Sequence, residues 1–239
     1  MRIHALLNWY DEPTARLAST IASLKGLCDS VVAVDGAYAL FPGGLRRPTS
    51  GPEQIDTIAS TARALGMGVT IHQRQEVWYG NEVEKRSYMF ALAETLSTTE
   101  DWYFLIDADE VVSQLPYDTR SLIEHATDYD AAECLMWEND TTRVLPDGTT
   151  IAALGLHPIR RFWRALRGIE VGPAHHQFHV GDDVWLSDAG RPILLVPALT
   201  LHDMRIEHRN VFRASNRLAN KSRYYADRDH LGIERNEDD

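Results

Sequence analysis

The sequence predicts an α/β fold in which helices cover both faces of a largely parallel sheet. Three observations favour this fold: short apolar runs alternate with segments of helical period, the alternation repeats through the first half of the chain, and polar residues directly follow the apolar runs. The 239 residues are enough for one large domain or two small ones. A content of 44% hydrophobic and 25% charged residues is typical of a globular protein with a substantial core.

Four predicted strands and three predicted helices make up the first half. The strands cover residues 3–7, 30–34, 69–72 and 102–106, and the helices cover residues 14–27, 50–65 and 82–96. In the first helix, Leu17, Ile21 and Leu24 form one apolar stripe. Ser50 and Glu53 have the spacing of a capping box, so the second helix is expected to start there.

The second half is less regular. Strands are predicted over residues 131–137, 158–163 and 193–201, with a turn at Pro146-Asp147-Gly148, and the last apolar run ends at His202. Residues 208–225 are polar with a helical period, and residues 236–239 form an acidic tail. We therefore divide one continuous domain into halves at residues 1–112 and 113–239.

Composition excludes some classes of partner. The net charge of −11 argues against a sequence-independent nucleic-acid partner, although 13 of the 24 Lys and Arg residues lie between residues 143 and 228. Four of them, Arg160, Arg161, Arg164 and Arg167, are either a solvated face or a contact for an anionic acceptor. No apolar run approaches the roughly 18 to 20 residues that span a bilayer. Two distant cysteines, interpreted as buried free thiols, indicate a reducing compartment, and we expect the cytoplasm.

The strongest motif is Asp107-Ala108-Asp109, which follows five apolar residues. Side chains two positions apart in an extended segment point the same way, so both carboxylates can converge just past a buried strand. Mg²⁺ and Mn²⁺ take such oxygen ligands and bridge to phosphates, whereas the structural alternative is an acidic turn. Asn8 and Asp35 also follow predicted strands, at the edge where ligands bind in open α/β sheets.

Several segments together carry a family resemblance. They are Tyr10-Asp11-Glu12, Asp35-Gly36-Ala37, Gly80-Asn81-Glu82-Val83-Glu84-Lys85-Arg86, Asp107-Ala108-Asp109, Arg161-Phe162-Trp163, His175-His176 and His202. This series resembles the family 2-like glycosyltransferases of the GT-A fold over roughly residues 2–225. The resemblance implies a Rossmann-like mixed sheet with helices on both faces. It also implies that residues 1–112 bind a nucleotide-sugar and residues 113–239 supply the acceptor site.

The same resemblance implies roles for individual residues. Sugar transfer from a UDP-linked donor, with inversion, would use Mn²⁺ or Mg²⁺ held by Asp109 and His202, while Asp107 contacts the ribose or a metal-bound water. Other expected donor contacts are Asn8, Tyr10, Asp35, Lys85 and Arg86. Lys85 and Arg86 have a second interpretation, as helix partners of the nearby glutamates. His175 and His176 are expected at the acceptor site, since the HHxxH cluster lacks the Glu of a catalytic zinc helix.

Inversion requires a carboxylate base near the acceptor hydroxyl. Asp107, Asp109 and Glu138 form the predicted catalytic set, with Asp140 and Glu170 as further candidates for the base. The sequence also departs from the family pattern: Tyr38-Ala39-Leu40 replaces the usual Ser-Thr-Asp, Ser87 replaces an Asn, and Gln177 replaces a Glu.

Two other functions stay open. A nucleotidyltransferase shares carboxylates at strand ends, but residues 8–13 lack its Gly-rich phosphate loop. A catalytically silent module that binds a sugar-nucleotide or glycan is the other alternative. A glycosyltransferase acting on modified DNA is disfavoured by the net charge. The acceptor, whether a glycan, a protein or a small molecule, is not identified.

Overall fold

The first half of the chain alternates strands with helices, as predicted. The computed structural model describes residues 1–39, 41, 44–138, 142–144, 150–152, 155–172, 177–181, 184–185 and 196–209. Its first seven elements are β1 (Ile3–Asn8), α1 (Thr14–Ser23), β2 (Ser30–Val34), α2 (Pro52–Ala64), β3 (Gly68–His72), α3 (Asn81–Glu94) and β4 (Trp102–Asp107). The strands form where the apolar runs lie, since every residue of β1 is buried.

The second half is mostly strands. Its elements are β5 (Glu110–Gln114), α4 (Thr119–Glu124), β6 (Ala131–Glu138), β7 (Thr142–Val144), β8 (Thr150–Ala152), β9 (Gly155–Arg164), β10 (Ile169–Val171), β11 (Phe178–Val180), β12 (Val184–Trp185) and β13 (Ala198–His208). Within the described ranges, no helix is long and apolar enough to cross a membrane.

Eight strands from both halves form one mixed sheet in the order β3-β2-β1-β4-β9-β6-β13-β5. Strands β1 to β4 are mutually parallel, and β6 and β13 are parallel to each other. Strand β9 runs antiparallel to both β4 and β6, and β5 runs antiparallel to β13. Because β9 reverses direction between them, β4 and β6 point the same way, so the carboxyl ends of β1, β2, β4, β6 and β13 share one edge.

The sheet must curl, because β4 and β5 are close in sequence but far apart in strand order. Only Ala108 and Asp109 separate the two strands, and three Cα steps span at most about 11 Å. In a flat sheet, the four strand spacings from β4 to β5 would require about 19 Å. Helix α1 lies against β5 inside this curl, where the Ser23 hydroxyl accepts the Val112 N–H at 3.0 Å.

Each face of the sheet has its own core. On one face, α1 and α2 bury residues such as Leu17, Ile21 and Ile58 against β1 and β4, and Phe104 stacks on Phe162 with ring centroids 4.5 Å apart. The other core, between α3 and the small sheet of β10 to β12, is aromatic. Its largest members are Trp78, Phe90, Tyr103, Trp163 and Phe178. Burial of rings of this size is a major stabilising contribution to the fold.

The predicted end of the last strand is wrong. The apolar run was expected to stop at Leu201, but β13 continues to His208. Leu201, Met204 and Ile206 are buried while His202 is exposed, and the register shifts between Thr200 and Arg205. The polar residues are thus part of the strand, which the register shift interrupts, rather than its stop signal. The helix predicted from residue 208 therefore does not begin there, and its remainder lies outside the described residues.

The start of α2 also differs from the expectation. Gly51 precedes the helix and donates its N–H to the Gln54 side chain at 2.6 Å, and Pro52 is the first helical residue. Ser50 does not cap the helix. Its hydroxyl accepts the Asp11 N–H at 2.8 Å and donates to Asp35 at 2.6 Å. Ser50 is therefore part of the loop that covers the end of β2.

Candidate functional site

The carboxyl edge of the sheet brings together polar residues from distant parts of the chain. Asn8 at the end of β1 lies opposite Asp107 at the end of β4. Strand β13 ends at His208, whose register partners are Glu138 of β6 and Glu110 of β5. The Asp-x-Asp segment links these two groups, because it joins β4 to β5 across the open side of the curl.

The side chain of Asp109 contacts His208. The Nε2 atom of His208 lies 3.0 Å from Oδ2 of Asp109, and 3% of the Asp109 side chain is exposed against 17% for His208. The backbone carbonyl of Asp109 accepts the Arg209 N–H at 2.8 Å. A carboxylate and an imidazole that approach each other at the end of a strand are suitable ligands for one divalent cation.

Asp107 is paired with Arg86 of α3. The Nη2 atom of Arg86 lies 3.0 Å from each Asp107 oxygen and 3.1 Å from Glu82. Burial alone would lower the pKa of Arg86, but Asp107 and Glu82 outweigh that effect and hold it above its ordinary value. Arg86 is buried and its Nε atom has no hydrogen-bond partner among the described residues. Asp107 is more accessible, with 26% of its side chain exposed.

A third carboxylate, Glu110, lies beside the first two. Its Oε2 atom accepts the Asp107 N–H at 2.9 Å, and Oε1 pairs with Arg161 of β9. Burial raises the pKa of Glu110, Arg161 and His208 lower it, and Asp107 and Asp109 raise it, with a net upward direction. Because the side chains of Glu110 and Arg161 are both buried, the loss of either one would leave an uncompensated charge inside the protein.

Lys85 lies inside the protein beneath the ends of β1 and β2. Its Nζ atom donates to the carbonyls of Trp9 at 2.6 Å and Gly36 at 2.9 Å, and lies 5.4 Å from the ring centroid of Tyr38. Burial lowers its pKa to about 7, against the raising effect of nearby carboxylates. Asn8 donates to the Tyr38 hydroxyl at 3.0 Å. Lys85 therefore holds the two strand ends together, and its role as a phosphate ligand stays a prediction.

Asp35 is fully buried and its carboxylate is engaged by the protein. It accepts the Ser50 N–H and hydroxyl at 2.7 and 2.6 Å and the Gln73 amide at 2.7 Å. Gly36 follows with φ +122°, and a Cβ there would approach Trp78 Nε1 to 2.7 Å, so only glycine fits this turn. A nucleotide base would reach Asp35 only after the Ser50 segment moved, and the predicted base contact stays untested.

The other predicted residues lie in different surroundings. The Tyr10 hydroxyl donates to the Arg47 carbonyl at 2.6 Å, and its ring packs edge-on against Phe41. His202 is exposed on β13, six residues before His208, and lies in the irregular segment between Thr200 and Arg205 rather than at the end of the strand. The side chains of Glu138, His175 and His176 lie outside the described part of the chain, as does Asp140; Glu170 is exposed on β10.

Three of the four arginines predicted as a solvated or acceptor-binding face are at least partly buried, whereas Arg167 is solvated, with 77% of its side chain exposed. Arg164 pairs with Asp130 and donates to the carbonyls of Ala126 and Tyr129. Arg160 donates to the Val196 carbonyl and Arg167 pairs with Glu94, while Arg161 is the partner of Glu110. These contacts tie β9 and the segment after it to neighbouring elements.

Three residues at this edge were absent from the predicted site: Glu110, Arg161 and His208. Glu110 directly follows the Asp-x-Asp motif, and Arg161 lies both in the Arg-aromatic segment and among the four clustered arginines. The signal that could have found His208 is short: Met204 and Ile206 are apolar, two positions apart and buried, whereas the spacing from Leu201 to Met204 is three, where the register shifts. This pair indicates that the strand continues past His202, and β13 in fact ends six positions later, at His208.

Comparisons with known proteins add little to this geometry. No protein-family model matches the chain, and no curated protein matches it in sequence. Among solved structures, S. aureus TarS 1-349 in complex with UDP is similar at 14% identity with a TM-score of 0.39, over 69% of this chain and 47% of that one. Mannose-6-phosphate isomerase from Helicobacter pylori is similar at 12% identity with a TM-score of 0.36, over 60% of this chain and 53% of that one.

The chain thus spans about half the length of these neighbours, and 23% of the longer TarS structure. Similarity at this level decides neither the fold nor the function of this chain. Both rest on its own residues.

Proposed function

We propose that the protein is a metal-dependent glycosyltransferase that moves a sugar from a nucleotide-sugar, UDP-linked, to an acceptor, with inversion. The observation that carries this proposal is the pairing of Asp109 with His208 next to the Asp107–Arg86 pair, at the edge where the parallel strands end. Ligands of open α/β sheets bind at such edges. The Asp107-Ala108-Asp109 motif, which is part of the resemblance to family 2-like glycosyltransferases, lies at this edge of the sheet, where β4 ends and β5 follows.

The residues present fit a divalent cation. Asp109 would supply a carboxylate oxygen and His208 an imidazole nitrogen, both of which bind divalent cations, and these two atoms lie 3.0 Å apart. Among the described residues, no cluster of three or more His, Cys, Asp or Glu side chains is arranged to hold a metal. In the proposed site, Asp109 and His208 would hold the cation together with diphosphate oxygens and water, the kind of ligand set that Mg²⁺ commonly takes.

When bound, Mn²⁺ or Mg²⁺ would neutralise the charge of the diphosphate leaving group. The chain's own contribution is Arg86, whose guanidinium lies beside Asp107 and supplies a second positive charge at the same place. Lys85 supports this arrangement from below by holding the ends of β1 and β2. We place the nucleotide over these ends, near Asn8 and Tyr10, with Asp35 as its base contact in the open form of the Ser50 loop.

The catalytic base is proposed to be Glu138. In an inverting transfer, a carboxylate removes the proton of the acceptor hydroxyl on the side opposite the leaving group. Glu138 ends β6, and its backbone is the register partner of His208. Its position thus borders the proposed metal site, on the side of the second half of the chain where the acceptor is expected, with His175 and His176 as proposed acceptor contacts.

One observation favours a second candidate, a module that binds a nucleotide-sugar without transferring it. Asp107 and Asp109 each already contact a basic side chain of the protein, Arg86 and His208. Such pairs would satisfy both carboxylates in the absence of metal. Hydrolysis of the donor in the presence of Mn²⁺ separates the two functions, because a silent module binds the donor but releases no free sugar.

Thermal unfolding with UDP tests the proposal. A ligand that binds the native state raises the melting temperature, so UDP should stabilise the protein in Mn²⁺ and not in EDTA. Asp109→Asn should abolish the dependence of this stabilisation on Mn²⁺. Asp203→Asn, at an exposed position of β13, is the matched control and should keep it. Equal stabilisation by UDP in Mn²⁺ and EDTA would contradict a metal-bridged diphosphate. A panel of UDP-sugars in the same assay would then identify the donor.

A further inference from the structure

The turn from Asp107 to Glu110 is held from two sides by side chains with no assigned role. On one side, the Thr20 hydroxyl of α1 lies 3.1 Å from the Ala108 carbonyl and 2.8 Å from the Glu110 carbonyl. On the other side, the Glu110 carboxylate accepts the Asp107 N–H. Thr20 and Glu110 are both buried, so these bonds do not compete with water.

Glu110 also connects the turn to the rest of the site. Its side chain pairs with Arg161 of β9, and its backbone is the register partner of His208 at the start of β5. It is thus bonded to the segment that carries Asp107 and Asp109 and lies in register with the residue that contacts Asp109. Because the sheet curls, Arg161 reaches Glu110 from a strand that is three positions away from β5 in the sheet order.

We propose that Glu110, Arg161 and Thr20 form a clamp that positions the Asp107–Asp109 turn against His208, so that the two sides of the metal site keep the separation one ion requires. These are positioning residues, because they act through Asp107, Asp109 and His208 and not on the substrate. The inference rests on the proposed function, since it assigns them a role in the same metal site.

A purely structural role is the competing explanation, and paired substitutions separate the two. Removing one partner of a buried ion pair leaves an unpaired charge and strongly destabilises the fold, whereas replacing both by uncharged side chains of similar volume is often neutral. Glu110→Gln and Arg161→Met should each lower the melting temperature, and the double variant should recover most of that loss. A positioning role predicts that metal binding does not recover with it.

The measurement is Mn²⁺ affinity in saturating UDP, followed by the loss of the free-ion signal in electron paramagnetic resonance, together with the apo melting temperature. We expect the double variant to bind Mn²⁺ at least tenfold more weakly than the wild type while melting close to it. Thr20→Val keeps the shape of the side chain but loses the hydroxyl proton that the Ala108 and Glu110 carbonyls share. It should weaken Mn²⁺ binding about threefold. This variant also tests the clamp if the double variant does not fold.

Asp101→Asn is the matched control, because Asp101 is also a buried carboxylate that accepts backbone amides, at the opposite end of β4. It should lower the melting temperature without changing Mn²⁺ affinity. Wild-type Mn²⁺ affinity in the double variant, or in Thr20→Val, would overturn the clamp. Failure of the wild type to bind Mn²⁺ with UDP would instead overturn the proposed function.

Discussion

The two ends of β4 carry similar residues in different roles. At the amino end, the buried carboxylate of Asp101 accepts the backbone N–H groups of Arg2 at 2.7 Å and Thr98 at 2.9 Å. It also accepts hydrogen bonds from the Arg2 guanidinium and the Thr98 hydroxyl, both at 3.1 Å. Burial alone would raise its pKa, but these hydrogen bonds lower it to about 2. At the carboxyl end, Asp107 and Asp109 contact mainly basic side chains, one of them a histidine.

The difference lies in which partners can be exchanged. The Asp101 carboxylate is held by two backbone amides, which the strand and the turn fix, in addition to its pair with the Arg2 guanidinium, so we assign its charge to the stability of the fold. A guanidinium or an imidazole on a side chain can be turned away or shared, so Asp107 and Asp109 can accept another cation. We infer that the same residue type serves stability at one end of the strand and ligand binding at the other.

The largest expected effect is on stability at the amino end. Asp101→Asn loses the charged hydrogen bonds, each worth roughly 1.5 to 3 kcal/mol, so we expect about 2 to 4 kcal/mol of destabilisation. Because the folded pKa lies below the ordinary value of 3.8, the contribution of the charge is present above pH 4 and is lost as pH falls toward 2. Chemical unfolding of both proteins between pH 2 and 6 measures this, and a constant difference across that range would contradict it.

The next effect concerns Lys85, which lies at the carboxyl end but has internal partners. Its folded pKa of about 7 is far below its ordinary value of 10.5, so the unfolded chain binds more protons between those values. Stability should therefore rise with pH from 7 to 9, by up to about 3 kcal/mol. Above pH 9 the buried Cys28 and Cys134, whose pKa values are raised, act in the opposite direction.

Lys85→Met should remove that rise, and Lys25→Met, at an exposed position, should keep it. Unfolding free energies of the wild type and both variants, measured at pH 7, 8 and 9, test this prediction. A rise that persists in Lys85→Met would mean that another group titrates in this range.

The smallest expected effect concerns Arg86, whose replacement should change the affinity for Mn²⁺ alone and the affinity for UDP in opposite directions. If its guanidinium neutralises Asp107 before the donor binds, Arg86→Met frees that carboxylate and should strengthen binding of Mn²⁺ alone by a few-fold. The same variant should weaken UDP about tenfold in saturating Mn²⁺, because it lacks the charge that faces the diphosphate. Calorimetric titrations with Mn²⁺ alone and with UDP measure both. Weaker binding of Mn²⁺ alone would contradict the exchange of cations on Asp107.

Much of the fold could be predicted from the sequence where burial is complete. Strand β2 has the predicted bounds, and β4 differs by one residue, because continuous apolar runs bounded by polar residues mark a strand buried on both faces. The position of Asn8, Asp35 and Asp107 after parallel strands follows from the same pattern. The alternation of strands and helices in the first half needed no tertiary information.

The rest could not be predicted because it depends on contacts between distant segments. Strand β5 exists because the sheet curls and brings residues 110–114 beside β13, and a short run after an acidic turn gives no local sign of that. The two basic residues of α3 are buried by the strand ends above them, against the usual preference of Lys and Arg for the surface. His208 was missed because the polar residues His202 and Asp203 interrupt the apolar pattern. They therefore resemble the end of a strand, although β13 continues past them to His208.

The central claim is that Asp109 and His208 hold a divalent cation together. Electron spin-echo spectroscopy of the Mn²⁺-loaded protein with UDP tests it directly, because an imidazole ligand gives a nitrogen coupling that oxygen ligands do not. The coupling should be present in the wild type and in His202→Gln, and absent in His208→Gln. A coupling that persists in His208→Gln, or that disappears in His202→Gln, would contradict the assignment.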